Sequence, residues 1–114
     1  MFSNRRETMD LVSGTHIKYQ LVYHLQWVPK YRFKIFWNEV YRYDYDTIVR
    51  ITARRHNIGI IELTVMPDHV HAVVSIPPTM SVSRAAQLLK GASSYEFMNL
   101  HPEMRKRYQK GHLF

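Results

Sequence analysis

A chain of 114 residues with 46% hydrophobic and 22% charged residues is long enough for one domain with a real core. It has no cysteine, which excludes disulfides and thiolate metal sites, so any metal must be held by histidine and oxygen ligands. Sixteen Lys and Arg against nine Asp and Glu give a formal net charge of +7, which suits a polyanionic partner such as nucleic acid or simply keeps a surface solvated. No apolar run is long enough to span a membrane and the first ten residues lack a secretory core, so a cytoplasmic location is expected.

Residues 1–15 show no periodicity and pass through Ser13-Gly14, which reads as a flexible N-terminal arm before a domain over 16–114. Ile17 to Val28 is a strand rich in β-branched and aromatic residues. Tyr19, Leu21, Tyr23, Leu25 and Trp27 share one face, and Gln20, Val22, His24 and Gln26 share the other. His24 is placed either to approach a site on that face or to bond a neighbour. Pro29 ends the strand because it lacks the ladder donor. In the following K-Y-R-F-K, Lys30, Arg32 and Lys34 alternate with Tyr31 and Phe33, a pattern that can hold a phosphate backbone and stack bases, with an ordinary basic loop as the competing reading.

From Asn38 to about His56 the period is helical, with Val40, Tyr41, Tyr45, Ile48, Ile51 and Thr52 as a core stripe. Asn57 and Gly59 close the helix. A strand over Ile58 to Met66, a Pro67-Asp68 turn and a second strand through Ile76 make an antiparallel hairpin. The second strand carries the densest chemistry of the chain, V-M-P-D-H-V-H-A-V-V-S-I. Side chains two apart on a strand share a face with roughly 7 Å between their Cα atoms, so His69 and His71 can converge on one metal while Val70, Ala72, Val74 and Ile76 enter a core. Alone, such a pair also arises by chance. Ser81 or Ser83 caps a further helix to about Leu100. Within it Gly91 costs about 1 kcal/mol relative to alanine, which fits either close approach by a partner, with Lys90 meeting a phosphate, or a neutral surface position. The tail adds Arg105, Lys106, Arg107 and Lys110, and Gly111 to Phe114 reads as the start of another strand.

The order strand, helix, strand, strand, helix, incipient strand predicts an α+β domain, an antiparallel sheet with helices on one face, close to the ferredoxin-like arrangement. A divalent ion on two imidazoles, in a basic protein, points to phosphodiester chemistry. The nucleophile is then either a water, giving a nuclease, or a tyrosine hydroxyl, giving a covalent phosphotyrosine.

Four segments in order, Y-H-L-Q-W-V-P-K-Y-R (23–32), V-M-P-D-H-V-H (65–71), L-K-G-A-S (89–93) and the closing G-H-L-F, resemble landmarks of the small single-tyrosine transposases of bacterial and archaeal insertion sequences, REP-associated ones among them. These belong to the histidine-hydrophobic-histidine endonuclease superfamily. The resemblance implies a homodimer that recognises imperfect hairpins in single-stranded DNA at transposon ends, with Mg or Mn on His69 and His71. It also implies a tyrosine, on a helix beyond the last strand, that attacks the scissile phosphate to give a 5′-phosphotyrosine and a free 3′-OH. A polar side chain of that helix completes the metal site. The family's nucleophile falls after the segment matching G-H-L-F, whereas this chain stops at Phe114 and Tyr95 and Tyr108 precede that point. No catalytic nucleophile is therefore identified, the last strand, nucleophile helix and third ligand are expected to be missing, and cleavage by this chain alone is not expected. A hairpin-binding protein without cleavage, carried by Lys30, Arg32, Lys34 and Lys90, is the alternative expectation.

Overall fold

The structure, a computed structural model, describes residues 6–13, 16–29 and 35–106, with side chains described from residue 21 onward. The elements are β1 (Arg6–Ser13), β2 (His16–Trp27), α1 (Glu39–Arg55), β3 (Gly59–Val65), β4 (Val70–Ile76) and α2 (Val82–Leu100), with short 3-10 turns at Ile35–Trp37 and Pro102–Lys106. The four strands form one sheet in the order β1-β2-β4-β3. Every pairing is antiparallel.

The first strand departs from the sequence expectation. Residues 6–13 were expected to form a flexible arm, yet they pair with β2 from Arg6 opposite Tyr23 to Ser13 opposite His16. An exposed edge of a long strand offers unpaired donors and acceptors, and a neighbouring segment satisfies them without needing an apolar alternation of its own. β1 thereby takes the edge of β2 at which the last strand of a ferredoxin-like sheet would pair. The Lys30 to Lys34 loop and the incipient strand at Gly111 to Phe114 lie outside the described residues.

Alternation along β2 and β4 works as read. Leu25, Trp27, Val70, Ala72, Val74 and Ile76 are fully buried and meet Tyr45, Val49 and Ala53 of α1 and Ala85, Leu89 and Phe97 of α2 in one core. The helices thus cover one face of the sheet. Asn38 caps α1, its Oδ1 accepting from Val40 N at 2.8 Å and Tyr41 N at 3.2 Å. Ser81, of the two serines considered, caps α2, accepting from Arg84 N at 3.0 Å.

The stripe expected on α1 is corrected in phase. Its buried residues are Tyr45, Val49, Thr52 and Ala53, whereas Val40 and Ile51 are 61% and 48% exposed. Ile51 lies six residues past Tyr45, about 240° round the helix, so it faces away from the sheet. In β3 the pairing register shifts between Ile60 and Glu62, and Ile61 at the bulge is exposed.

Candidate metal and nucleic-acid site

Because Trp27 and Val70 point into the core, their neighbours Gln26 and His71 point to the other face. His71 is opposite Gln26 on β2 and opposite Thr64 on β3. One row further along this histidine face, His24 and Glu62 flank Val73 from the two sides. The rings of His24 and His71 are 5.9 Å apart and tilted by 55°. Burial is uneven across the face. Val22 and Val73 are buried, His24 and His71 are half-buried, and Gln26 is exposed.

His69 sits one residue before β4, in the turn closed by Met66 N donating to His69 O at 2.8 Å. Its Nδ1 is 2.8 Å from Asp68 Oδ1. A carboxylate only accepts, so Nδ1 carries a proton, and in the neutral ring it is Nε2 that keeps the lone pair. The bond from His69 holds the Asp68 carboxyl below the usual carboxylate range. A carboxylate on the non-ligating nitrogen is how metal-binding imidazoles are commonly oriented.

The donor set fits half a divalent-cation site. Two imidazoles are positioned by one strand and its turn, one has its tautomer fixed, and among the described residues no group of three His, Cys, Asp or Glu side chains completes a metal cluster. Hard ions such as Mg and Mn prefer oxygen ligands, so the pair needs oxygen donors beside it.

The remaining candidates do not all gather there. Lys90 is half-buried on α2, within the layer that covers the opposite face of the sheet, and Ser93 Oγ donates to its carbonyl at 3.2 Å. Tyr95 belongs to the same layer and is 64% exposed, so the sheet separates it from His71. Lys30, Arg32 and Lys34 lie outside the described residues. Sequence reasoning passed over Asp68 as a participant. Asp68 was readable only as a turn former, although its place directly before the first histidine was a signal. Gln26 becomes a neighbour of His71 only through the β2–β4 register, which sequence spacing does not contain.

An α+β domain with this sheet and an H-x-H pair at the head of its inner strand is the architecture that the family comparison meets. Residues 17–114 match the family described as Transposase IS200 like, and the chain belongs to that family. The chain is 33% identical over 106 residues to the ISDra2 transposase TnpA of Deinococcus radiodurans, covering 93% of this chain and 75% of that protein. It is also 33% identical over 100 residues to the transposase for insertion sequence element IS200 of Salmonella typhimurium, covering 88% of this chain and 65% of the relative. A crystal structure of a candidate transposase from Deinococcus radiodurans superposes with a TM-score of 0.77 at 30% identity, over 91% of this chain and 79% of that one.

Proposed function

We propose that this domain works on single-stranded DNA hairpins at the ends of an insertion sequence, as a homodimer in the cytoplasm, with Mg or Mn held by His69 and His71. The observation that carries the reading is the histidine pair on a strand-and-turn scaffold with Asp68 on the Nδ1 of His69. When bound, the cation would polarise the scissile phosphate and stabilise charge on the leaving oxygen. His69 and His71 would fix its position, and Asp68 would keep the His69 Nε2 lone pair available. The basic residues Lys30, Arg32, Lys34 and Lys90 would neutralise the DNA backbone. Among the described residues no helix is long and apolar enough to cross a membrane.

Strand cleavage would proceed by a tyrosine oxygen forming a bond to phosphorus while the bond from phosphorus to the 3′-oxygen breaks. The products are a 5′-phosphotyrosine and a 3′-OH, the phenolic proton being released and the 3′-oxygen taking one up. The tyrosine is expected from a helix following the segment that matches G-H-L-F.

The test is a covalent-adduct assay on the chain extended by a tyrosine-bearing C-terminal helix of the family, with a labelled hairpin substrate. An adduct that requires Mg or Mn and disappears in H69A and H71A supports the proposal. Salt-dependent hairpin binding that survives both substitutions, with no adduct under any metal, replaces it with the non-catalytic binder.

A further inference from the structure

The outer side of α1 carries a row of residues that the metal reading does not use. Tyr43, Thr47, Arg50 and Arg54 follow one another at spacings of four, three and four, which keeps them within about 60° of one line along the helix. All four are exposed, and Tyr43, at 74%, is too open to serve the core. The row runs beside β3, the edge strand of the described sheet. Two hollows mark the seam between helix and strand. One of about 660 Å³ is lined by Glu39, Val40, Tyr43, Asp46 and Val65, from the first half of α1 and the last residue of β3. The other, of about 290 Å³, is lined by Arg50, Arg54, Ile58, Gly59 and Ile60, at the opposite ends of the same two elements.

Charge is graded along this seam. The acids lie toward the start of α1 and each has an arginine partner, Asp46 accepting from Arg50 Nε at 2.7 Å and Glu39 lying 3.9 Å from Arg42. That one bond leaves the terminal guanidinium nitrogens of Arg50 to a further acceptor, and Arg54 has no carboxylate partner among the described residues. An open aromatic ring followed along one line by two guanidinium groups matches what an unpaired nucleic-acid strand presents, flat bases to stack and phosphates to neutralise. The helix from Tyr43 to Arg54 spans about 16 Å, room for a short run of nucleotides at roughly 3.4 Å or more each.

We propose that the seam between α1 and β3 is a docking groove for an unpaired stretch of DNA, with a base stacked on Tyr43 and backbone phosphates bonded by Arg50 and Arg54. The ligand class rests on the single-stranded DNA reading above. The grip itself lies at the β3 edge on the helix side of the sheet, apart from the histidine pair.

The test is fluorescence anisotropy of the full chain with labelled, unstructured oligo(dT) and with a labelled hairpin, in EDTA and at several salt concentrations, with thermal melts as the check on folding. Y43A is expected to raise the Kd for oligo(dT) about fivefold or more, and Y43F to keep wild-type binding. R54A should also weaken binding and lower the slope of log K against log salt by about 0.7, the share of one phosphate on a single strand, whereas Y43A should leave that slope unchanged. Wild-type oligo(dT) affinity in both Y43A and R54A overturns the groove. A loss in R54A without one in Y43A reduces the seam to a general anion surface and overturns it as well. A wild type that binds the hairpin but not oligo(dT) overturns the proposal and leaves the hairpin reading standing, while one that binds neither removes both. A dimer in light scattering that Y43A dissociates assigns the seam to a second copy of the chain and likewise overturns the proposal.

Discussion

Asp68 accepts from His69 at 2.8 Å across a single peptide unit, so the carboxylate and the ring it orients belong to one turn. The pair is exposed on the carboxylate side, 80% against 30% for the imidazole, so it does little for the fold. D68A is therefore expected to keep the wild-type melting temperature while weakening Mn(II) binding by about tenfold, the usual cost of losing an orienting partner. Isothermal titration and a thermal melt on the same sample check both halves.

A buried relay of hydroxyls ties the sheet to both helices. Trp27 Nε1 donates to Tyr45 Oη at 3.1 Å, Tyr45 and Ser93 Oγ are 2.7 Å apart, and Ser93 donates to the Lys90 carbonyl at 3.2 Å. The donation order thus runs from indole to phenol to serine to carbonyl. Y45F removes the middle link and leaves buried groups short of partners, so a loss of about 1–3 kcal/mol in denaturant unfolding is expected. Burial also pushes the Tyr45 phenol far up, past the partly offsetting bonds from Ser93 and Trp27. A group whose folded-state value is raised contributes stability that is present below its unfolded value and lost as pH rises toward the folded one. Wild-type stability should accordingly fall above pH of about 10, and Y45F should fall less steeply there.

The two described glycines in regular structure differ in what an added side chain would meet. A Cβ on Gly91 would meet nothing within 4 Å, so G91A should stabilise the free protein by about 1 kcal/mol. If DNA approaches α2 closely at that point, the same substitution weakens hairpin binding while raising the melting temperature. A Cβ on Gly59 would meet Ser75 Oγ across the β3–β4 pair, the end of a side chain that can turn to another rotamer, so G59A should leave the melting temperature close to that of the wild type.

Glu103 joins the end of α2 to α1. It accepts from Tyr41 Oη at 2.8 Å and lies 3.4 Å from His101 Nδ1, while His101 Nε2 is 2.7 Å from Asp44 Oδ2. Its own backbone amide first, and Tyr41 next, hold the Glu103 carboxyl below its usual value of 4.5. A depressed carboxylate stabilises above the unfolded value and loses that contribution as pH falls through the folded one. Y41F should therefore narrow the difference in melting temperature between pH 7 and acid conditions, read by calorimetry at the two ends.

Alternation made the sheet legible. Val70, Ala72, Val74 and Ile76 alternate so regularly that their burial and the opposite placement of His71 followed from the strand period alone. The pairing of residues 6–13 was not legible, because an edge strand is recruited by backbone groups that leave no side-chain pattern. The phase of α1 was misjudged at Val40 and Ile51, where apolar residues face solvent and only the position of the sheet decides which side is buried. At the site, His69 and His71 were visible as a motif, whereas Gln26 depends on a register set between strands 45 residues apart, from Gln26 to His71.

The central claim is that His69 and His71, among the histidines of this chain, hold the divalent ion. Side-chain ¹H–¹⁵N spectra of the imidazoles recorded with substoichiometric Mn(II) test it directly, since the paramagnetic ion broadens the rings nearest to it. The account predicts that His69 and His71 broaden first, followed by His24, while His56 and His101 stay sharp. First broadening at His101, beside Asp44 and Glu103, or equal broadening of every ring would contradict it.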